Sequence, residues 1–135
     1  MKLVALLFSL CLIFLIKLSA CASAEPTYTR ISGEQAHMMM QDLDNFILLD
    51  VRTYEEFRRS RIEGAVLIPH NEIFSRADNE LPDRNVLILI YCRSGSRSEI
   101  AANELIAMGF TNVYDFGGIE TDWPFETVSA VNVKK

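Results

Sequence analysis

The residues with the clearest capacity for chemistry form a short loop, Cys92-Arg93-Ser94-Gly95-Ser96-Arg97-Ser98. An apolar run, 86–91, precedes the loop and predicts a buried strand, while the amphipathic segment 99–108 predicts a helix after it. The thiol of Cys92 would then lie at the C-terminal edge of a sheet, beside the N-terminus of a helix. Loop amides, the helix dipole and the two guanidiniums of the loop can converge there. Together they stabilise a negatively charged sulfur, which is the nucleophilic form of cysteine.

Small residues in the loop suit such a junction between a strand and a helix. We expect Gly95 to permit a tight turn of the backbone and either Ser96 or Ser98 to cap the helix. A cysteine at the end of a buried strand can also be a simple core residue. Cationic side chains, small residues and a helix start around one sulfur favour a catalytic thiol instead.

The first 24 residues predict an export signal, because Lys2 precedes an apolar stretch, 3–16. This stretch is too short for a comfortable membrane span, and Lys17 interrupts it. Two cleavage patterns follow. Leu18-Ser19-Ala20-Cys21 resembles a bacterial lipobox, in which Cys21 would be acylated, whereas Ala22-Ser23-Ala24 suits ordinary cleavage. A retained signal anchor is a third alternative. We therefore expect an exported protein, either periplasmic or tethered to a membrane as an extracytoplasmic lipoprotein.

The remainder, 25–135, has about 110 residues, enough for one domain with a real core. The whole chain has 13 Lys and Arg against 18 Asp and Glu, a net charge of −5, and removing Lys2 and Lys17 makes the domain more acidic still. This balance argues against nucleic acid or an anionic membrane surface as a partner. Either cleavage leaves Cys92 without a disulfide partner, and an unpaired thiol in an oxidising compartment usually has a chemical use.

Alternation of apolar strands with helices predicts an α/β fold with a central parallel sheet covered by helices on both faces. Buried strands are predicted at 46–49 and 65–68 besides the strand before Cys92, with a last strand at 113–115 and a turn at Gly117-Gly118. Helices are predicted from Gly33 through Met40, at 54–59 and at 71–76. We expect Ser32 with Gln35, and Thr53, to cap the first two of these helices.

The chain resembles a single-domain rhodanese of the exported bacterial type over residues 28–127. The motifs that carry this resemblance are Asp50-Val51-Arg52, Glu56-Phe57, Ile62-x-Gly64-Ala65, Ile68-Pro69, Tyr91-Cys92-Arg93-Ser94-Gly95-x-Arg97-Ser98, Gly117-Gly118-Ile119 and Trp123. The resemblance implies that Cys92 carries sulfur, that the amides of Arg93 through Ser98 hold the persulfide, and that Arg97 helps to bind an anionic donor. Asp50 and Arg52 would serve the structure. Ser60-Arg61 stand where the family commonly has Gly-His, which should affect local packing more than catalysis.

We therefore expect a sulfurtransferase that moves sulfane sulfur from a donor such as thiosulfate to cyanide or a thiol through a Cys92 persulfide. No metal or organic cofactor is expected, because the cysteine itself carries the sulfur. One alternative is a non-catalytic module that binds a partner or senses oxidants through Cys92. A phosphatase or arsenate reductase is a weaker alternative, because related folds with those activities separate Cys and Arg by five residues. Here Cys92 and Arg97 are separated by four, and Ser98 cannot supply a guanidinium.

Other candidate residues have simpler interpretations. His37 with Met38, Met39 and Met40 could suggest a soft-metal site, but three consecutive residues cannot share one helix face. His70 is expected to be a turn residue rather than a general base. The segment 123–125 should pack against the sheet edge or border the active-site mouth.

Overall fold

Residues 27–81 and 83–130 are described by the computed structural model of the protein. The predicted export signal and Cys21 lie outside these described residues. The strands are β1 (Thr29–Arg30), β2 (Phe46–Asp50), β3 (Val66–Leu67), β4 (Leu87–Cys92) and β5 (Val113–Gly118). The α-helices are α1 (Gly33–Asp42), α2 (Tyr54–Arg59), α3 (Ile73–Glu80) and α4 (Ser96–Ala107), and a 3-10 turn (His70–Glu72) leads into α3.

The strands form one parallel sheet in the order β1-β5-β4-β2-β3. Alternate side chains of the central strand β4 point to opposite faces, as the pleat requires. Ile88 and Ile90 pack with the buried faces of α3 and α4, whereas Leu89 and Tyr91 pack on the side that α1 covers through Ala36. The predicted fold, a parallel sheet covered by helices on both faces, is confirmed.

The predicted capping box at Ser32 and the predicted cap at Thr53 are both present, and the Thr53 cap also forms a capping box. At the start of α1 the Gln35 amide donates to Ser32 Oγ at 3.2 Å, and the Ser32 amide donates to Gln35 Oε1 at 2.9 Å. At the start of α2 the Thr53 amide donates to Glu56 Oε2 at 2.9 Å, while Thr53 Oγ1 accepts from the Glu56 amide. Each box satisfies two amides that the helix itself cannot pair.

Three predicted elements differ from the structure. The strand expected at 65–68 comprises only two residues at the sheet edge, and Val66 is exposed, so the expectation of a buried strand was wrong. The helix expected at 71–76 begins as a 3-10 turn and continues as α3 to Glu80. The last strand runs on to Gly118, so Gly117-Gly118 end a strand rather than form a turn.

Ser60 and Arg61, the departure from the family pattern, lie where the C-terminal segment returns to the domain. Arg61 and Val128 exchange two backbone hydrogen bonds of 2.8 Å as an antiparallel bridge, and Ser60 Oγ donates to Thr127 Oγ1 at 2.9 Å. These contacts attach the C-terminal segment to the end of α2. Within the two described stretches, no helix has the length and apolar character needed to cross a membrane.

Candidate active site

Cys92 is the last residue of β4, and its sulfur lies at the start of α4. The Gly95 amide donates a hydrogen bond to Cys92 Sγ at 3.1 Å. Gly95 has a φ of 102°, a left-handed conformation that favours glycine and that turns the loop into the helix. Cys92 has no exposed surface, so a donor can reach Sγ only if neighbouring side chains move. The predicted junction of strand, thiol and helix is therefore present.

The serine cap that the sequence predicts for α4 is absent. Gly95 occupies the N-cap position of α4 without a side-chain hydrogen bond, and Ser96 is already the first helical residue. Ser98 is buried, and its Oγ lies 2.9 Å from the Gly95 carbonyl oxygen and 3.3 Å from that of Gly117. The hydroxyl of Ser98 thus lies between the loop and β5 instead of capping the helix.

The backbone of Gly118 lies directly against the backbone of the thiol loop. Cys92 pairs with Gly118 in the sheet, and the next two amides, of Ile119 and Glu120, donate to the carbonyl oxygens of Cys92 and Arg93 at 2.9 and 3.1 Å. A Cβ at Gly118 would overlap the Arg93 carbonyl oxygen and lie 2.5 Å from Ser94 Cα. Glycine is therefore required here for the approach of two backbones. The adjacent glycines at a strand end were the signal in the sequence for this role.

Arg97 lies in the first turn of α4 and is paired with Glu56 of α2. Both terminal nitrogens of the guanidinium donate to the carboxylate at 2.8 Å, a bidentate arrangement. The two side chains are mostly buried, with exposed fractions of 24% and 21%. The hydrogen bonds from Arg97 are the main reason that the pKa of Glu56 falls to about 2. The same bonds raise the pKa of Arg97, with a smaller contribution from the charge of Cys92.

The other guanidiniums beside the loop are also paired. Arg93 Nε lies 3.1 Å from Glu120 Oε2, and both side chains are exposed. Arg30 Nη1 lies 2.5 Å from the buried carboxylate of Asp115, whose other oxygen accepts from the Gly117 amide at 2.9 Å. The sequence analysis predicts that Arg93 and Arg97 lie near the sulfur but predicts no partners for them. In the structure each is bound by a carboxylate.

Asp50 and Arg52 form a buried ion pair at the end of β2, the strand beside β4. Arg52 donates through Nε and Nη2 to the Asp50 carboxylate at 2.6–3.1 Å, and Asp50 Oδ1 also accepts from the Arg52 amide at 2.9 Å. Arg52 Nη2 reaches the Ser60 carbonyl oxygen as well. The pair joins the strand end to the end of α2 and supports the structural role that the family resemblance implies.

A cavity of about 180 Å³ lies between α2 and the segment after β5. Both Glu56 and Glu120, the partners of the two loop arginines, line it. The remaining lining residues are Arg52, Arg59, Ser60, Ile119 and Thr127. One lining residue, Ile119, donates its amide to the Cys92 carbonyl oxygen, so the cavity lies next to the end of β4, although none of residues 92–98 lines it.

The aromatic residues outside the loop pack on the α1 face of the sheet. Trp123 lies against Phe116, with ring centroids 5.6 Å apart, and His37 stacks on Phe125 at 3.9 Å. Gln41 Nε2 is 3.0 Å from His37 Nε2. His37 is therefore a packing residue, and Trp123 contributes to the packing of that face.

This arrangement of fold and thiol loop corresponds to a known domain. The family model of the rhodanese-like domain matches residues 32–123. The chain belongs to this family.

Relatives agree with this membership. The thiosulfate sulfurtransferase PspE of Escherichia coli is 35% identical over 72 residues, which are 53% of this chain and 69% of that protein. The adenylyltransferase and sulfurtransferase UBA4 of Candida albicans is 32% identical over 108 residues, but the chain spans only 25% of its length. A solved structure of rhodanese with anions from E. coli is 32% identical, with a TM-score of 0.57, over 62% of this chain and 96% of that one.

Proposed function

We propose that this protein is a sulfurtransferase that carries sulfur as a persulfide on Cys92. The thiolate attacks the outer sulfur of a donor such as thiosulfate, so that a bond forms between Sγ and that sulfur. The sulfur–sulfur bond of the donor breaks, and its electron pair leaves with sulfite. A thiophilic acceptor, cyanide or a thiol, then takes the outer sulfur and restores the Cys92 thiolate.

The observation that carries the proposal is the hydrogen bond from the Gly95 amide to Cys92 Sγ at 3.1 Å. This donor and the N-terminus of α4 favour negative charge on the sulfur that attacks and on the persulfide that forms. The loop residues assigned to holding the persulfide are Arg93, Ser94, Gly95, Ser96, Arg97 and Ser98. The similarity to PspE, a thiosulfate sulfurtransferase, supports the same reaction class.

One assay separates this function from its alternatives. The protein is incubated with thiosulfate and cyanide, and thiocyanate formation is compared with hydrolysis of a phosphate ester such as p-nitrophenyl phosphate. We expect thiocyanate and no measurable phosphate release. A protein that hydrolyses the ester would instead be a phosphatase, and one that does neither would be a binding or redox-sensing module.

The Cys92→Ser variant tests the nucleophile. Serine Oγ can accept the Gly95 hydrogen bond and fits the same space, but it is not ionised near neutral pH. We expect thiocyanate formation to fall to background while the melting temperature stays within a few degrees. Continued turnover by this variant would disprove the persulfide mechanism.

A further inference from the structure

Three guanidiniums lie beside the thiol loop, and their charges are balanced by carboxylates. Each of the three has a carboxylate partner within 3.1 Å. The pairs are Arg30 with Asp115, Arg93 with Glu120, and Arg97 with Glu56. With Cys92 as thiolate, these pairs and the sulfur carry a net charge of −1. This negative charge repels a doubly negative donor such as thiosulfate.

We infer that Glu56 is a specificity-determining residue that favours singly charged organic sulfane-sulfur donors over the thiosulfate dianion. Alkyl thiosulfonates and alkyl persulfides belong to this donor class. The inference rests on the proposed sulfurtransferase function and concerns the charge of the preferred donor.

The geometry of Glu56 suits this role better than that of Glu120. Glu56 accepts two hydrogen bonds from Arg97, and about a fifth of its side chain is exposed, so solvent screens its charge little. Glu120 and Arg93 are both about 60% exposed, and solvent weakens such a pair. Glu56 and Glu120 both line the cavity, so their burial and the bidentate bond to Arg97 are what distinguish them. Arg59 lines that cavity too and supplies a cation that both kinds of donor would meet.

A donor anion that binds Arg97 must either displace Glu56 or share the guanidinium with it. Both arrangements bring the donor close to a carboxylate, and the cost grows with the charge on the donor. One unit of charge within about 6 Å, at a dielectric between that of protein and water, changes binding by roughly tenfold. Thiosulfate carries one more negative charge than a thiosulfonate, and we therefore expect it to bind about tenfold more weakly than it would without Glu56.

The test compares two donors in wild type and in Glu56→Gln. Thiosulfate and methanethiosulfonate both give up an outer sulfur to Cys92, and the electron pair leaves with sulfite or with methanesulfinate. The glutamine carbonyl oxygen can replace Oε2 and accept from the Thr53 amide and Arg97 Nη1, which keeps the cap and one of the two bonds to the guanidinium, while the bond to Nη2 is lost. We expect the ratio of kcat/KM for thiosulfate to that for methanethiosulfonate to rise about tenfold, mainly through the KM for thiosulfate.

Glu55→Gln is the matched control, because it removes one neighbouring charge from an exposed position of the same helix. Its donor ratio should stay within about twofold of wild type. An unchanged ratio in Glu56→Gln, or equal losses with both donors, would show that Glu56 only positions Arg97 and would overturn the inference. Absence of sulfur transfer from either donor in wild type would instead disprove the proposed function.

Ionic strength provides a test that needs no variant. If the site repels dianions, added salt will raise kcat/KM for thiosulfate relative to methanethiosulfonate in the wild-type protein, because screening weakens repulsion. A relative fall with salt would mean that the site is net positive towards donors, which contradicts the inference even if Glu56→Gln does not fold.

Discussion

Arg97 and Glu56 are 41 positions apart in the chain, yet both terminal guanidinium nitrogens donate to the carboxylate at 2.8 Å. The same carboxylate accepts a hydrogen bond from the Thr53 amide, which completes the capping box of α2. The pair therefore joins the start of α2 to the first turn of α4, beside the thiol. A change in either partner should alter donor binding and the stability of this joint together.

Replacing Arg97 with alanine should reduce kcat/KM for thiosulfate by roughly tenfold to a hundredfold, since charge-assisted contacts are worth about 1.5–3 kcal/mol. The variant also leaves the Glu56 carboxylate without its partner, which repels the donor further. The kcat/KM for an uncharged donor should fall by less. Steady-state kinetics with both kinds of donor measures the difference, and equal losses would place Arg97 outside the donor site.

The double variant Arg97→Ala with Glu56→Gln tests the coupling between the two charges. Removing the unpaired carboxylate should restore part of the thiosulfate activity that Arg97→Ala loses. The coupling follows from comparing the double variant with both single variants in a mutant cycle. Strict additivity of the two effects would show that the charges act on the donor independently.

The Glu56 pair should also make stability depend on pH. The pKa of Glu56 is about 2 in the folded protein and about 4.5 ordinarily, so its contribution is complete above pH 4.5 and is lost as pH falls towards 2. After allowance for solvent, we expect wild type to exceed Glu56→Gln by about 1–2 kcal/mol at pH 6. Urea unfolding at several pH values measures the free energy of unfolding of both proteins.

The difference between the two unfolding curves isolates Glu56, because the other carboxylates titrate in both proteins. We expect this difference to shrink steadily between pH 4.5 and 2. The Glu55→Gln protein should follow wild type throughout, since the described residues include no ion-pair partner for Glu55. A difference that is constant over this pH range would mean that Glu56 stabilises the fold by packing rather than by charge.

The N-terminal segment yields a prediction about location. We propose that Cys21 is acylated after cleavage of the signal and that the domain is tethered outside the cytoplasm, as Leu18-Ser19-Ala20 before Cys21 indicates. Mass spectrometry of the mature N-terminus should then find lipid on Cys21, and Cys21→Ser should leave the membrane fraction. An unmodified chain that begins at Glu25 would show ordinary cleavage and a protein without the anchor.

Local patterns in the sequence were sufficient to predict most of the fold and the position of the thiol. The apolar run before Cys92 and the small residues after it predict a strand that ends where a helix begins. The capping boxes at Ser32 and Thr53 need only neighbours three residues away, so they were also predictable. Patterns of this kind depend on contacts within a few positions, which a single sequence displays directly.

The partners of the loop were not predictable in the same way. Glu56 was identified only by its place in a motif, and nothing local indicates that it binds Arg97, because the contact depends on how α2 and α4 lie across the sheet. The conformation of Gly95 made it the helix cap in place of a serine. The edge position of Val66 likewise depends on the strand order, which hydrophobic patterning does not specify.

Gly118→Ala should disturb the thiol loop more than the rest of the fold. The added Cβ would overlap the Arg93 carbonyl oxygen and Ser94 Cα, so the loop must move away from β5. We expect a loss of about 1–3 kcal/mol in stability and at least tenfold in sulfur transfer. Gly64→Ala is the control, because its φ of 81° imposes backbone strain while its Cβ meets nothing within 4 Å. That variant should lose about 1 kcal/mol of stability and keep its activity. If both variants lose stability and neither loses activity, the approach of Gly118 to the loop does not position the thiol.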